Sequence, residues 1–398
     1  QAFDPASVLE QGLAYHRRGD FERAGGLYRR ILDQDPDHTE ALHLAGVIAY
    51  QTGRYRRAAD RIRRAIAQDA NKSAYHINLG NVLNAQGDPR AAAESYRRAL
   101  DLTPNDASAW NNLGNLLKEA GSYAEARRYY RKALALRPDY HEAHNNLARV
   151  LKVGGRMAEA VESFREALRI DPNLPDVRGN YLLALHYQAD YGPEALRAEH
   201  ERFSEIHAAP LVHRIQPPEN PPDPDRPLRV GFVSCDFRRH PVGYFLAPFL
   251  RHYHRSRFYT VAYASGFRAD ALTDWIRARV DRFADVRGIP DEELADRVRA
   301  DGIDILMDLS GHTGGNRLIT FAHKPAPVQI SWIAYPDTTG LPVMDYLIAD
   351  DRVAPDGTDA HFTEELIRLP GGYLCYEPPD YLPPVAPLPA AATGGVTF

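Results

Sequence analysis

The sequence predicts an α-solenoid of stacked helices followed by an α/β domain built on a parallel sheet. In the first half of the chain, small, bulky and proline residues recur every 34 residues, a period typical of repeats that stack helix pairs. In the second half, short apolar runs alternate with amphipathic segments, which indicates strands alternating with helices. A proline-rich stretch between Pro217 and Pro227 separates the halves and marks a boundary. The length of 398 residues also favours two or three domains.

Each repeat combines small residues, one bulky residue and a closing proline. Small residues let two antiparallel helices approach, and the bulky residue fills the space between them. A second glycine ends the first helix, and the proline stops the second. Positions that recur every 34 residues are called columns here. These columns closely match the tetratricopeptide repeat in five copies, which start near Pro5, Thr39, Ser73, Ala107 and His141. The recurring residues are Gly12, Gly46, Gly80, Gly114 and Ala148; Gly19, Gly53, Gly87, Gly121 and Gly155; Ala24, Ala58, Ala92, Ala126 and Ala160; Tyr28, Ile62, Tyr96, Tyr130 and Phe164; and Pro36, Pro104, Pro138 and Pro172.

An asparagine column begins at the third repeat. It consists of Asn78, Asn112, Asn146 and Asn180. An amide offers both a donor and an acceptor, so a regular row of amides could pair with an extended peptide backbone in the groove of the solenoid. The alternative is that these amides satisfy helix groups within the scaffold, and the spacing alone leaves both interpretations open.

Four apolar runs in the second half predict buried parallel strands at 228–234, 258–264, 303–309 and 328–334, with an amphipathic helix at 291–300. Strands alternating with helices predict a doubly wound sheet with right-handed crossovers. Ligands of such sheets bind at the carboxyl ends of the strands. We therefore expect the binding site among the loops that follow these runs.

Three of those loops are rich in glycine, proline and polar residues, at 236–243, 311–317 and 335–340. Their convergence predicts a cleft for a phosphate or a sugar, with Asp236 and His240 as candidate chemical groups. A turn hydrogen bond between Asp236 and His240, and a structural role for His312, are the alternatives. The glycine runs contain neither a dinucleotide fingerprint nor a P-loop, and the Asp-Pro-Asp triplets fall in a repeat turn and the linker, so no metal site is predicted.

Bulk composition excludes several classes of function. A net charge of -5 gives no reason to expect nucleic acid as a partner. Cys235 and Cys375 are the only cysteines, which fits a reducing compartment and leaves no disulfide framework. The first residues show no signal-peptide pattern, and no run of 18 apolar residues suggests a membrane span. We expect a cytoplasmic protein.

The order of the motifs resembles the protein O-linked N-acetylglucosamine transferases, with bacterial members most similar. After the repeats come NYLLALHY at 180–187, LRVGFVSCDFRRHP at 228–241, GHTGG at 311–315 and WIAYPDTTG at 332–340. The plant SPINDLY-type protein O-fucosyltransferases share this architecture. The resemblance implies an inverting, metal-independent enzyme of the two-lobe GT-B fold, which transfers N-acetylglucosamine from UDP-N-acetylglucosamine to Ser or Thr hydroxyls and has no cofactor. The Rossmann-like domain here would be the N-terminal lobe.

The resemblance also implies residue roles. Asp236 and His240 would lie in the active site, and His186 matches a histidine proposed as a catalytic base, so either histidine is a candidate. The asparagine column would bind the acceptor polypeptide. One departure is His312-Thr313-Gly314, where the family loop often has Tyr followed by Thr-Lys, so a basic contact to phosphate is missing there. The residues expected to border the donor sugar are Pro241, Gly311, His312, Thr313, Tyr335 and Pro336.

We expect repeats and a capping helix at 1–190, a helix and proline-rich linker at 191–227, the N-terminal catalytic lobe at 228–378, and an inter-lobe linker at 379–398. The partners would be acceptor proteins in the groove, the nucleotide sugar and a second lobe. Because this chain supplies one lobe, we expect it alone to be inactive. Two alternatives remain, an O-fucosyltransferase that uses GDP-fucose and a non-catalytic tetratricopeptide adaptor.

Overall fold

The structure, a computed structural model, describes residues 3–223, 225–266, 268–379, 382, 386–388 and 395. The chain divides into two compact units, Gln1–Val177 and Arg178–Phe398. Pro224 of the predicted linker and most of the predicted inter-lobe segment 379–398 fall outside the described residues. The finer domain boundaries given above stay a prediction. Among the described residues, no helix combines the length and apolar character needed to cross a membrane.

The first unit consists of helix pairs, and each helix packs on its partner and on the next pair. The pairs repeat with the period of the sequence columns, which confirms the predicted solenoid. The helices are α1 (Pro5–Arg17), α2 (Phe21–Gln34), α3 (Thr39–Gln51), α4 (Tyr55–Gln68), α5 (Ser73–Ala85), α6 (Pro89–Leu102), α7 (Ala107–Glu119), α8 (Tyr123–Leu136), α9 (His141–Val153) and α10 (Met157–Ile170).

Close approach of the paired helices explains why small residues recur opposite bulky residues in the repeats. A Cβ atom at Gly114 would lie 2.6 Å from Cε1 of Tyr130, and one at Gly46 would lie 2.7 Å from Cγ1 of Ile62. Both bulky side chains are fully buried. The second glycine column has a different cause, because Gly121 adopts a φ of 78° at the end of its helix, in the left-handed region that glycine tolerates best.

The second unit is a parallel sheet with helices, preceded by helices that follow the repeats. Helix α11 contains the point of division between the units. The helices are α11 (Pro175–Leu185), α12 (Pro193–His207), α13 (Pro241–His252), α14 (Ala271–Arg277), α15 (Asp291–Ala300) and α16 (Leu318–Ala322), with short 3-10 helices at Ala209–Arg214 and Asp359–His361. The strands are β1 (Leu228–Ser234), β2 (Phe258–Ala264), β3 (Arg282–Asp285), β4 (Ile305–Asp308), β5 (Val328–Ser331), β6 (Tyr346–Ala349) and β7 (Glu365–Arg368).

The strands form one parallel sheet in the order β3-β2-β1-β4-β5-β6-β7. Strand β1 is hydrogen-bonded to both β2 and β4, so the strand order reverses beside it. This topology confirms the predicted Rossmann-like lobe. An apolar core of strand and helix side chains, including Phe232, Leu246 and Ile276, packs against the sheet. By the rule for open α/β sheets, ligands bind at the carboxyl ends of the strands next to such a reversal.

Candidate functional site

A cleft of about 630 Å³ opens at the carboxyl edge of the sheet, next to the strand-order reversal. Its volume lies in the range typical of small-molecule sites. Segments that follow β1, β2, β4 and β5 contribute to its wall. Two of the three predicted loops, 236–243 and 311–317, therefore meet here, whereas no residue of the third loop, 335–340, belongs to the lining. The lining residues are Cys235, Asp236, Arg238, His240, Pro241, Val242, Phe245, Ser265, Gly266, Arg268, Thr313, Gly314, Gly315, Ile333 and Ala334.

Asp236 and His240 both line the cleft, but their strongest contacts go elsewhere. The Asp236 carboxylate pairs with Arg238 at 2.7 Å, whereas Nδ1 of His240 lies 3.7 Å from the carboxylate. His240 caps helix α13, and its Nδ1 accepts a hydrogen bond from the Val242 amide at 3.4 Å. The arrangement leaves Nε2 of His240 as the ring nitrogen that can contact a ligand.

Cys235, which directly follows β1, contacts the loop after β4 through its thiol. Its Sγ lies 3.3 Å from an oxygen of the Asp236 carboxylate and 3.3 Å from the Gly314 carbonyl oxygen, and its single S–H can donate to either of them. Burial and the Asp236 charge raise the pKa of the Cys235 thiol to about 12. The side chain is therefore a neutral thiol near neutral pH and acts as a packing and hydrogen-bonding group, because the thiolate is the nucleophilic form.

A buried carboxylate, that of Asp308, accepts hydrogen bonds from the first residues of the same loop. Asp308, the last residue of β4, accepts hydrogen bonds from the amides of Ser310 at 3.1 Å and Gly311 at 2.7 Å. Burial raises the pKa of Asp308 to about 6, with the backbone hydrogen bonds opposing that shift. These bonds turn the chain directly after the strand and so place the glycine-rich segment beside the cleft.

A second cluster of polar aromatic residues lies in the same unit. The Tyr335 hydroxyl contacts Nε2 of His186 at 2.9 Å and Nε2 of His200 at 2.7 Å. Nε2 of His186 also lies 3.4 Å from the Asp337 carboxylate. His312 packs edge-on against His200 and Tyr335. Burial lowers the pKa of all three histidines, so they are neutral near pH 7.

Buried hydrogen bonds fix the loop that carries this cluster. The carboxylate of Glu364 accepts from the Thr338 hydroxyl and from the Thr339 amide, each at 2.7 Å. The Thr339 carbonyl in turn accepts from Nε2 of His312 at 2.8 Å. Gly340 has a φ of 72°, and a Cβ there would overlap the backbone of His200. The loop is therefore held rigidly against helix α12.

The predicted site residues fall into two groups that share the loop after β4. Pro241 and Thr313 line the cleft together with Asp236 and His240. His186, His312 and Tyr335 belong to the second cluster, where Gly311 packs against Tyr335, and Pro336 is exposed. The loop touches both groups, because Gly314 contacts Cys235 and Gly311 contacts Tyr335. Their roles remain predictions.

Sequence reasoning missed His200, Asp308, Asp337 and Glu364, and also the segment after β2 that contributes Ser265 and Arg268 to the cleft. Asp308 carried a usable signal, because it ends a predicted strand directly before a glycine-rich loop. His200 carried no signal in the sequence that pointed to the site. It lies on an ordinary amphipathic helix, and only the tertiary fold brings it to Tyr335.

Three residues of the asparagine column, Asn78, Asn112 and Asn146, lie in the first unit and bond between neighbouring repeats. The amide of Asn112 donates to Asn81 at 3.0 Å, that of Asn146 donates to Asn111 at 3.1 Å, and Asn78 contacts His43 at 2.7 Å. Asn78 and Asn112 keep part of their surface exposed, whereas Asn146 is buried. Asn180 belongs to helix α11. Hydrogen bonding of these amides within the scaffold, the alternative left open by the sequence, therefore occurs. Peptide binding by the column stays a prediction.

One group of side chains in the described part of the chain has the composition of a metal site. His186, His200 and Asp337 each offer a ligand atom, and these atoms lie within 4.8 Å of one another. The Tyr335 hydroxyl, however, is hydrogen-bonded to both imidazoles, so the nitrogens already have a partner. We assign the cluster to hydrogen bonding.

Comparison with known proteins agrees with this fold. Residues 195–382 match the model of glycosyl transferase family 41, and residues 15–79, 77–136 and 111–175 match models of the tetratricopeptide repeat. The structure of an O-GlcNAc transferase mutant of Thermobaculum terrenum superposes with a TM-score of 0.72 at 40% identity, and covers 80% of this chain and 61% of that one.

Two relatives come from Arabidopsis thaliana. The "Probable UDP-N-acetylglucosamine--peptide N-acetylglucosaminyltransferase SPINDLY" is 40% identical over 235 residues, which are 56% of this chain and 25% of that protein. The protein of the same description named SEC is 34% identical over 157 residues, 39% of this chain and 16% of that protein. The chain thus spans about a quarter or less of the length of these curated relatives.

Fold and matches together define a class of protein, a tetratricopeptide solenoid followed by one Rossmann-like lobe of the GT-B type. Within that class, the segment 195–382 matches the model of glycosyl transferase family 41. The resemblance to the protein O-linked N-acetylglucosamine transferases, drawn above from the order of motifs, is confirmed.

Proposed function

We propose that the protein to which this chain belongs transfers N-acetylglucosamine from UDP-N-acetylglucosamine to Ser or Thr hydroxyls of other proteins, with inversion at the anomeric carbon and without a metal or a cofactor. The observation that carries the proposal is the cleft beside the strand-order reversal, which is lined by Asp236, His240 and the loop after β4 within a family 41 domain. The names of the relatives supply the sugar and the acceptor class.

The chemistry of the cleft suits a sugar diphosphate. Arg238 and Arg268 line it, and guanidinium groups are well matched to phosphate oxygens. Arg238 is partly neutralised by Asp236 at 2.7 Å, so Arg268, which is exposed, is the stronger candidate for a phosphate contact. Nε2 of His240 is suited to donate a hydrogen bond to a sugar hydroxyl.

Glycosyl transfer also needs a proton acceptor, because the pKa of an aliphatic hydroxyl lies far above neutral pH. Neutral histidine can take that proton near pH 7, and His186 and His240 are both candidates. The acceptor polypeptide would bind along the repeats, where the partly exposed side chains of Asn78 and Asn112 can pair with an extended backbone. Cytoplasmic location is part of the proposal.

The intact protein should be incubated with UDP-N-acetylglucosamine or with GDP-fucose, each with an acceptor lysate, and the products read by mass spectrometry. We expect N-acetylhexosamine on Ser or Thr, with unchanged rates in a metal chelator. The variant His240→Ala should transfer more than about tenfold more slowly. A matched control is His254→Ala, because His254 lies outside the cleft. Transfer of fucose alone would refute the donor assignment, and failure with both donors would favour an adaptor.

A further inference from the structure

We propose that Asp337 is a positioning residue for His186, and that Asp337, Tyr335 and His200 together make Nδ1 of His186 the atom that receives the acceptor hydroxyl proton. The inference rests on the proposed function, since it assigns the base for that transfer. It adds a carboxylate and a defined ring nitrogen to a site in which the sequence left two histidines as equal candidates.

The carboxylate of Asp337 is itself held in place. Its Oδ1 accepts a hydrogen bond from the Thr338 amide at 2.7 Å, and its Oδ2 lies 3.4 Å from Nε2 of His186. Only 18% of the Asp337 side chain and 24% of the His186 side chain are exposed. A charge in such a setting is weakly screened by solvent. Asp337 can therefore stabilise a proton on the His186 ring.

A chain of hydrogen bonds determines which nitrogen of His186 carries its hydrogen. Nδ1 of His200 lies 2.7 Å from the Leu196 carbonyl and must donate to it, so Nε2 of neutral His200 accepts from the Tyr335 hydroxyl. Burial raises the pKa of Tyr335 well above its ordinary value, so the phenol keeps its proton. Its oxygen then accepts from Nε2 of His186 at 2.9 Å. Neutral His186 thus has its hydrogen on Nε2 and a lone pair on Nδ1.

His240 has the opposite arrangement. Its Nδ1 lone pair accepts the Val242 amide as the cap of helix α13, so Nε2 carries the hydrogen and can only donate in the neutral state. Its nearest carboxylate, Asp236, is paired with Arg238. His240 is therefore suited to hold the sugar, and His186 is suited to take the proton.

The transfer step balances with these groups. The oxygen of the acceptor Ser or Thr forms a bond to the anomeric carbon as the bond from that carbon to the phosphate oxygen breaks, and UDP leaves with the electron pair. The hydroxyl proton moves to Nδ1 of His186. The resulting imidazolium is stabilised by Asp337 through Nε2–H, and the phenol oxygen of Tyr335 accepts the same hydrogen.

The groups that face His186 predict the direction of its pH dependence. They are Asp337 and Tyr335 on the loop after β5, His200 on α12 and His312 on the loop after β4. Burial lowers the pKa of His186, and Asp337 opposes that shift. A base works only when deprotonated, so kcat/KM falls as the pH drops through this pKa. Removing the Asp337 charge should lower the pKa further and move the acid limb of the profile to lower pH.

The test compares Asp337→Asn, Asp337→Glu and wild type in the intact enzyme. For Asp337→Asn we expect an acid limb shifted down by about one pH unit and a plateau lowered by about tenfold or more. Asp337→Glu should keep the limb near its wild-type position. Asp190→Asn, which removes the same charge from an exposed position, should change neither. A lowered plateau with an unmoved limb means a merely structural role and overturns the proposal.

A second measurement does not depend on transfer. Proton–nitrogen correlation spectra of this chain, labelled at histidine and assigned with His186→Gln, report the tautomer of His186. We expect hydrogen on Nε2 in wild type and a lower pKa of His186 in Asp337→Asn. Hydrogen on Nδ1 in wild type would overturn the inference even in an active enzyme. If the intact protein transfers no sugar from any donor, the proposed function fails, while these spectra still judge the Asp337–His186 pairing.

Discussion

Gly311 is the residue at which the loop after β4 meets Tyr335. Its φ is 52°, and a Cβ atom at this position would overlap Cβ of Tyr335. Both constraints act against any other residue, because left-handed backbone costs about 1–2 kcal/mol for a side chain with a Cβ and the overlap must be relieved by movement. The movement would fall on Tyr335, which holds His186 and His200.

We therefore expect Gly311→Ala to lower the free energy of unfolding by about 2–4 kcal/mol and to slow transfer by at least about tenfold. Denaturant unfolding of the chain and turnover of the intact enzyme measure the two effects. Gly314→Ala is the control for stability, because no atom of the residues that the structure describes lies within 4 Å of a Cβ there. Equal stability of the two variants would show that Tyr335 adapts freely.

The sequence identified candidate residues within motifs, but it did not identify contacts between residues of different motifs. Asp236 and His240 follow a strand in a loop of polar and glycine residues, so their place at the sheet edge was predictable. Asp337 lies inside the motif WIAYPDTTG, yet its proposed role depends on a contact with His186, which lies 151 positions earlier in the chain. Such a pairing follows from the tertiary contact between the segment directly after α11 and the loop after β5, which no local pattern encodes.

At the scale of elements, the first, third and fourth repeats each pack a glycine against a tyrosine ring. In the fourth repeat the ring of Tyr130 is fixed, because its hydroxyl donates to Asn115 at 2.8 Å. The fifth repeat has Ala148 and Phe164 at the equivalent positions. Phenylalanine has no hydroxyl to tether it, so its ring can withdraw from an alanine methyl.

We expect Gly114→Ala to destabilise the repeats by about 1–3 kcal/mol through overpacking against Tyr130. The double variant Gly114→Ala with Tyr130→Phe should recover part of that loss, since it reproduces the fifth repeat. Urea unfolding of both singles and the double gives the coupling energy between the two sites. Strict additivity of the two changes would contradict the tether argument.

Strand prediction succeeded where apolar runs were long and failed where they were short. Strands β1 and β2 have the predicted bounds, and β4 and β5 lie within the predicted runs. The ends of the predicted β4, Ile303 and Leu309, are buried without belonging to the strand, so burial and strand pairing diverge there. Strands β3, β6 and β7 have four residues each, and unlike β4 and β5 they do not lie within a longer apolar run. Their existence is decided by pairing with the neighbouring strand.

At the scale of the whole molecule, the two units have different roles in the proposed reaction, catalysis for the second and acceptor binding for the first. The second unit contains the cleft and the His186 cluster, whereas the first contains Asn78, Asn112 and Asn146 of the asparagine column. A task in acceptor binding alone would change the KM for the protein acceptor and leave kcat unchanged. The hydrogen bonds between repeats complicate this test, because loss of a column asparagine also loosens the scaffold.

A matched pair of variants separates the two effects. Replacing Asn78, Asn112 and Asn146 by alanine removes the three column side chains of the first unit. Replacing Asn81 and Asn111 by alanine breaks two of the same bonds from the other side and leaves the column side chains in place. We expect both variants to lose stability, by about 1 kcal/mol for each hydrogen bond lost. Only the column variant should raise the acceptor KM, by about tenfold or more, with kcat unchanged. An equal rise in both would mean that the column only braces the repeats, and peptide recognition would then have to come from other residues of the first unit.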